Sequence, residues 1–292
     1  MPVMGMNVCY FLIMNRYTFF TILAFFLLNT GLAQKAPKGK LFIIGGGSRP
    51  DAMVARIISE AGLQQGGYAI ILPMSSSEPD SAVYYAGRQF IKQGIPNVFG
   101  LQFEKGESLS TAKVDSIRNA KLIYISGGDQ NRFMEVVLGT DIEKAIHEAY
   151  QRGAVVGGTS AGAAVMSKVM ITGNELKHPD YSSTFRNIDA DNIETKPGLG
   201  LIQDAIIDQH FVRRSRHNRL ISAVIEYPGL KGIGIDESTA ILVSGNQAEV
   251  VGESQVIVLD NRKGSKTIRN GKLGASGMQM SVYLPGDKFK IR

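Results

Sequence analysis

An α/β fold is the architecture this sequence predicts: a mainly parallel sheet covered by helices on both faces, followed by an antiparallel extension. Three observations carry it. From Lys40 to Gly158, short apolar runs alternate with segments of helical spacing. The runs are continuously apolar, as in strands buried on both faces. After Ile202 the texture becomes strand-rich. With 292 residues and 44% hydrophobic composition, the chain is long enough for a substantial core.

In chain order the predicted parallel strands are KLFIIG, YAIILPM, NVFGL, AKLIYIS and GAVVGG, with helical segments beginning at Asp51, Ser81, Ser110 and Asp141. DAIIDQHF, GIGIDE, TAILVSG, AEVVGE and SQVIVLD supply the extension. Between Thr172 and Gly200 the chain is polar and aperiodic, and a connection that long is expected to act as a lid or specificity loop. No internal repeat is visible, so residues 34–292 read as a single domain.

Residues 1–33 differ from the rest. Arg16 is their only charge, and YTFFTILAFFLLNTGLA is an apolar core ending in small residues, the pattern of a signal peptide cleaved after Ala33. The strongly apolar run from Phe19 to Leu28 is shorter than the roughly 20 residues that span a bilayer, which weighs against a membrane anchor. Export to the periplasm or the exterior is therefore expected. Cys9, the only cysteine, lies inside this segment, so the remaining chain has neither a disulfide nor a thiol nucleophile.

Net charge is +6, and +6 − 1 = +5 without Arg16. Residues 261–292 hold eight Lys/Arg against the single acid Asp287, but SKTIRNGKLGA has no aromatic residues among its charges, so a solvated face is expected in place of a nucleic-acid site.

In an open α/β sheet, ligands sit beyond the C-terminal ends of the strands, which directs attention to the residues that follow each one. In VVGGTSAGAAV, Ser160 lies between Gly158 and Gly162 where a strand turns into a helix. Small neighbours permit such a sharp turn and leave Oγ exposed, although the same pattern suits a serine filling a tight corner. His210 ends an apolar strand at the same sheet edge, where an imidazole can take and return a proton; a structural histidine is the alternative. Glu237 follows KGIGI and can orient that imidazole, with Asp236 a competitor. The order Ser, His, Glu differs from the Ser, acid, His order of α/β-hydrolases. ISGGDQ places Gly127 and Gly128 where their N–H groups, with that of Ala161, can form an oxyanion hole, unless it is a plain glycine turn. GGGSRPDAMVARI is a weak phosphate-loop pattern, since Pro50 breaks the G-x-G-x-x-G spacing. No His/Asp/Glu cluster has metal-ligand spacing, and neither metal nor cofactor is expected.

The stretches IIGGG, ISGGDQNRF, GTSAGAAVMSKVMI, GLGLI, DQHFVRRSRHNRL and GIGIDESTAILV, in that order, resemble the cyanophycinase family of serine peptidases, relatives of the aspartyl dipeptidases. The resemblance runs from Leu41 to about Leu259. It implies a flavodoxin-like three-layer sandwich related to class I glutamine amidotransferases, with Ser160 as nucleophile, His210 as base and Glu237 as third member. It also implies substrate-binding roles for Gln130, Asp208, Gln209, Arg214, Arg216 and Arg219. The activity implied is hydrolysis of aspartyl peptide bonds, of the β-Asp-Arg type found in cyanophycin; an α-aspartyl dipeptidase or a silent peptide-binding protein of the same fold is the alternative. The segment from Thr172 looks longer than its cyanobacterial counterpart, which bears on specificity. A peptide substrate is the expected partner, with no nucleic acid and no membrane after signal cleavage; a homodimer is left open.

Overall fold

The computed structural model describes residues 36–292, so the predicted signal segment lies outside the described residues. The first half alternates as its sequence predicts: β1 (Lys40–Ile44), α1 (Asp51–Ala61), β2 (Ala69–Leu72), α2 (Pro79–Lys92), β3 (Val98–Gly100), α3 (Thr111–Arg118), β4 (Leu122–Ile125), α4 (Gln130–Val137), α5 (Asp141–Arg152) and β5 (Val155–Thr159). Helix α2 starts two residues before Ser81, because Pro79 fits the first helical position, where no N–H is required. Helix α4, absent from the sequence prediction, is capped by Asp129, which accepts from Asn131 N–H at 2.7 Å.

Side-chain alternation along β1 explains the layers. Leu41 and Ile43 face a core containing Ile117 of α3, Phe133 of α4 and Ile146 of α5. Phe42 and Ile44 face the opposite core, with Ile57 of α1 and Phe90 of α2. A period of two sends successive residues to opposite faces, so a strand that is apolar throughout needs helices on both. The result is a three-layer sandwich, as predicted.

The remaining elements are α6 (Ala161–Ala164), β6 (Val169–Glu175), β7 (Ile193–Pro197), β8 (Ala205–Gln209), α7 (His217–Glu226), β9 (Lys231–Ile235), β10 (Thr239–Ser244), β11 (Gln247–Gly252), β12 (Val256–Asp260), β13 (Thr267–Arg269), β14 (Lys272–Gly274), β15 (Gln279–Tyr283) and β16 (Lys288–Lys290). The central sheet has the order β16-β11-β10-β1-β5-β4-β2-β3; β1, β5, β4, β2 and β3 are parallel, and β10, β11 and β16 continue it antiparallel.

The C-terminal extension is thus more divided than the sequence suggests. Strands β8, β9, β12 and β15 form a second sheet, in which β8 and β9 are parallel. The reason is α7, which the strand-rich texture hid. A helical crossover lets its flanking strands run parallel, whereas the short turn between β10 and β11 makes an antiparallel hairpin. The segment from Thr172 to Gly200 is also structured, since β6 and β7 pair and Phe185 between them is buried.

Candidate active site

Ser160 stands between β5 and α6 with φ 54° and ψ −112°, a left-handed conformation that costs a non-glycine residue on the order of 1–3 kcal/mol. Its flanking glycines make the turn possible. A Cβ on Gly158 would lie 2.3 Å from the carbonyl oxygen of Gly162, and one on Gly162 would lie 2.3 Å from that of Ile125. The backbone N–H of Ser160 donates to Ile44 at 3.1 Å, tying the turn to β1. A tight corner and an exposed hydroxyl are therefore the same feature here.

His210 directly follows β8, a strand of the second sheet, which corrects the expectation that it shares a sheet edge with Ser160. One bond joins the sheets at this point, His210 N–H donating to Gly45 at 2.7 Å, while Gly45 N–H donates to Thr239 of the central sheet at 2.9 Å. The imidazole Nε2 then lies 2.9 Å from Ser160 Oγ and Nδ1 lies 2.6 Å from Glu237 Oε1. A carboxylate only accepts, so Nδ1 carries the proton and Nε2 is free to accept from the serine hydroxyl. Burial pushes the His210 pKa below its ordinary value, Glu237 opposes that shift, and the nearby Arg214 and Arg216 add to it.

Asp236 does not compete for the imidazole. Its oxygens accept from Arg213 N–H and Ser254 Oγ–H, both at 2.9 Å.

The glycines after β1 hold the histidine and glutamate in place. With φ 113° at Gly46, an added Cβ would fall 2.3 Å from His210 Cε1; at Gly47, with φ 69°, it would fall 2.8 Å from Glu237 Cβ. The imidazole and the glutamate pack directly against this glycine turn. A glycine triplet directly after a strand was the available signal for this close approach.

Gly127 packs against the serine, its hypothetical Cβ 3.4 Å from Ser160 Cβ. Among the described residues, the N–H groups of Gly127 and Gly128 have no hydrogen-bond acceptor, and Ala161 opens α6, where helical N–H groups lack intrahelical partners.

Next to Ser160 lies a polar cleft of about 320 Å³. Of the residues expected to bind substrate, Gln130, Gln209, Arg214, Arg216 and Arg219 line it, and Asp208 does not. Asp208 is buried and receives Arg219 Nε at 2.7 Å together with Arg219 Nη2, so that arginine is neutralised from within the protein. Gln130 Nε2 donates to the carbonyls of Ile171 and Thr172 at 3.0 and 2.5 Å, bracing the start of the β6–β7 excursion. Arg216 donates from Nη1 to the Gln209 carbonyl at 2.7 Å and to its side chain. Its Nε is buried without a partner among the described residues, and burial, then Arg219, lowers its pKa to about 10. Arg214 is exposed at the cleft. Residues the sequence did not single out, among them Asn131, Asn174 and Tyr181, complete the lining.

The model of peptidase family S51 matches residues 41–251. The chain belongs to peptidase family S51. It is accordingly a serine-type peptidase related to the cyanophycinases. A protein from a Nostoc species described as cyanophycinase is 30% identical over 269 residues, covering 88% of this chain and 87% of that one. Another cyanophycinase, from Synechococcus elongatus, is 30% identical over 87% of this chain and 80% of its own length. Among solved structures, a peptidase from an acI-B1 actinobacterium shares the fold with a TM-score of 0.62 at 20% identity, covering 88% of this chain and 98% of that one. A Listeria monocytogenes protein of the peptidase E type gives a TM-score of 0.52 at 18% identity, over 74% of this chain and 99% of its own. Among the described residues no group of His, Cys, Asp and Glu is arranged to hold a metal.

Proposed function

We propose that this S51 peptidase is exported and hydrolyses aspartyl peptide bonds of the β-Asp-Arg, cyanophycin type through a Ser160–His210–Glu237 triad. The observation that carries the triad is the unbroken hydrogen-bonded chain from Ser160 Oγ through the imidazole to Glu237, beside a cleft with Arg214, Arg216 and Arg219 at its wall. The cyanophycinase relatives support the substrate class.

Ser160 Oγ attacks the scissile carbonyl carbon while His210 Nε2 takes its proton, and Glu237 stabilises the imidazolium that forms. The N–H groups of Gly127, Gly128 and Ala161 receive the oxyanion. Collapse expels the amine, which leaves with the proton from His210. Water then attacks the acyl-enzyme with His210 again as base, releasing the carboxylic acid and restoring the serine. Arg214 and Arg216 supply donors for a substrate carboxylate.

Export rests on the pattern of residues 1–33. Mass spectrometry of protein from the native host should find a mature form beginning near Gln34; an intact N-terminus in the cytoplasm overturns it.

The activity is tested by incubating mature protein with cyanophycin, β-Asp-Arg-containing peptides and α-aspartyl dipeptides. Release of β-Asp-Arg products is expected. Turnover of only the α-aspartyl dipeptides would reassign the substrate, and binding without turnover of any would mark a silent relative.

A further inference from the structure

The excursion between β6 and β7 brings one aromatic side chain to the cleft. Tyr181 lines it together with Ser160, Arg214 and Arg216, yet remains 68% exposed. Among the described residues its ring stacks on no other side chain and its hydroxyl has no hydrogen-bond partner. A tyrosine so exposed is unremarkable on a wandering loop, but this loop is fastened. Thr184 Oγ1 donates to the Arg214 carbonyl at 2.8 Å, and Asn218 Nδ2 donates to the carbonyl of Phe185, whose side chain is buried. Farther along, Asp189 holds Lys272 at 2.6 Å and His178 at 3.2 Å. Tyr181 therefore lies between anchored residues, three after His178 and three before Thr184, and little ordering remains to oppose binding.

The face of an aromatic ring is negative, so it attracts a planar cation laid over it, whereas a carboxylate is better served by guanidinium donors. Arg214 and Arg216 are the anion-seeking groups of the cleft. The groups that seek a cation are the Tyr181 ring and Asp129, which lines the same cleft and uses one oxygen to accept from Asn131 N–H; its other oxygen is unpartnered among the described residues. A ligand that satisfies both sets carries a carboxylate and a cationic side chain together.

We propose that Tyr181 is a specificity-determining residue, its ring stacking on the guanidinium of an arginine carried by the substrate, with Asp129 as the second cation-seeking group. The inference rests on the Asp-Arg reading of the substrate and assigns recognition of its arginine to a loop that the sequence marks only as long and polar.

The test compares a β-Asp-Arg-containing peptide with the same peptide bearing citrulline, which keeps the planar shape and loses the charge. Wild-type enzyme should show a KM about 3- to 30-fold higher for citrulline, the range spanned by exposed to desolvated cation–π contacts. Tyr181→Ala should reduce that discrimination to the part Asp129 supplies and Tyr181→Phe should preserve it in full, because the ring and not the hydroxyl makes the contact. Equal discrimination by Tyr181→Ala and wild type overturns the proposal. Calorimetric binding of the β-Asp-Arg and β-Asp-citrulline dipeptides to Ser160→Ala protein, with and without Tyr181→Ala, separates this inference from the reading it rests on. If wild type cleaves neither peptide but the dipeptides are still told apart through Tyr181, the hydrolytic reading falls and the contact stands. If Ser160→Ala protein binds both dipeptides equally, or neither, the contact falls.

Discussion

The α-carbon of Gly46 faces the imidazole of His210 so closely that a single added methyl would overlap the ring, 2.3 Å from Cε1 and 2.5 Å from Nε2. Nε2 is the atom directed at Ser160, so the absence of a side chain at position 46 is part of how the site is aligned. Gly46→Ala should lower kcat by about 100-fold, since displacements near 1 Å can cost that much, with KM changed less. The positive φ adds destabilisation on the order of 1–3 kcal/mol. Steady-state kinetics with a thermal melt checks both, and an unchanged kcat counts against the alignment.

Ser160→Ala should leave only the residual rate due to binding and the oxyanion hole, a loss on the order of 10⁴ or more. Ser160→Gly should be equally inactive but more stable than Ser160→Ala by about 1 kcal/mol, because only glycine occupies φ 54° without strain. Urea unfolding of the two variants decides it; equal midpoints would mean that the turn stores no strain.

The pH dependence of kcat/KM follows from His210. Burial disfavours the imidazolium, so the free enzyme should keep its base neutral to below the ordinary pKa of 6.5, and the acid limb should lie beneath that value. Glu237→Gln removes the group that favours the protonated ring, moving the limb further down and reducing kcat. Arg214→Gln removes a repelling cation and should move it up. Opposite shifts in the two variants are the diagnostic result; shifts in the same direction refute the electrostatic account.

The buried Asp208–Arg219 pair should matter for folding. Asp208→Asn leaves a guanidinium, 2% exposed, without its counter-charge, and losing one partner of a buried pair costs about 3–5 kcal/mol. Arg214→Gln, at an exposed position, should stay within about 0.5 kcal/mol of wild type. Denaturant midpoints of both proteins test the contrast, and a small effect of Asp208→Asn would show that the pair is dispensable.

The alternation of strands and helices, the sharp turn at Ser160 and the candidate His210 at a strand end were legible in the sequence, because each rests on local chemistry: an apolar run of strand length, glycines around a serine, a polar residue at a strand end. Helix α7 was not, since basic residues and a strand-like neighbourhood masked its period, and with it went the parallel pairing of β8 and β9. The choice between Asp236 and Glu237 belongs to the tertiary structure alone. The two are adjacent and similar in chemistry, but one carboxylate is directed to Arg213 N–H and Ser254 Oγ and the other to His210 Nδ1. The same holds for the arginines: Arg214, Arg216 and Arg219 read alike in sequence, yet a buried Asp208 neutralises the last and leaves the first exposed at the cleft. Such outcomes depend on contacts across 11, 18, 23 and 27 residues, which side-chain direction and strand pairing create and no local pattern encodes.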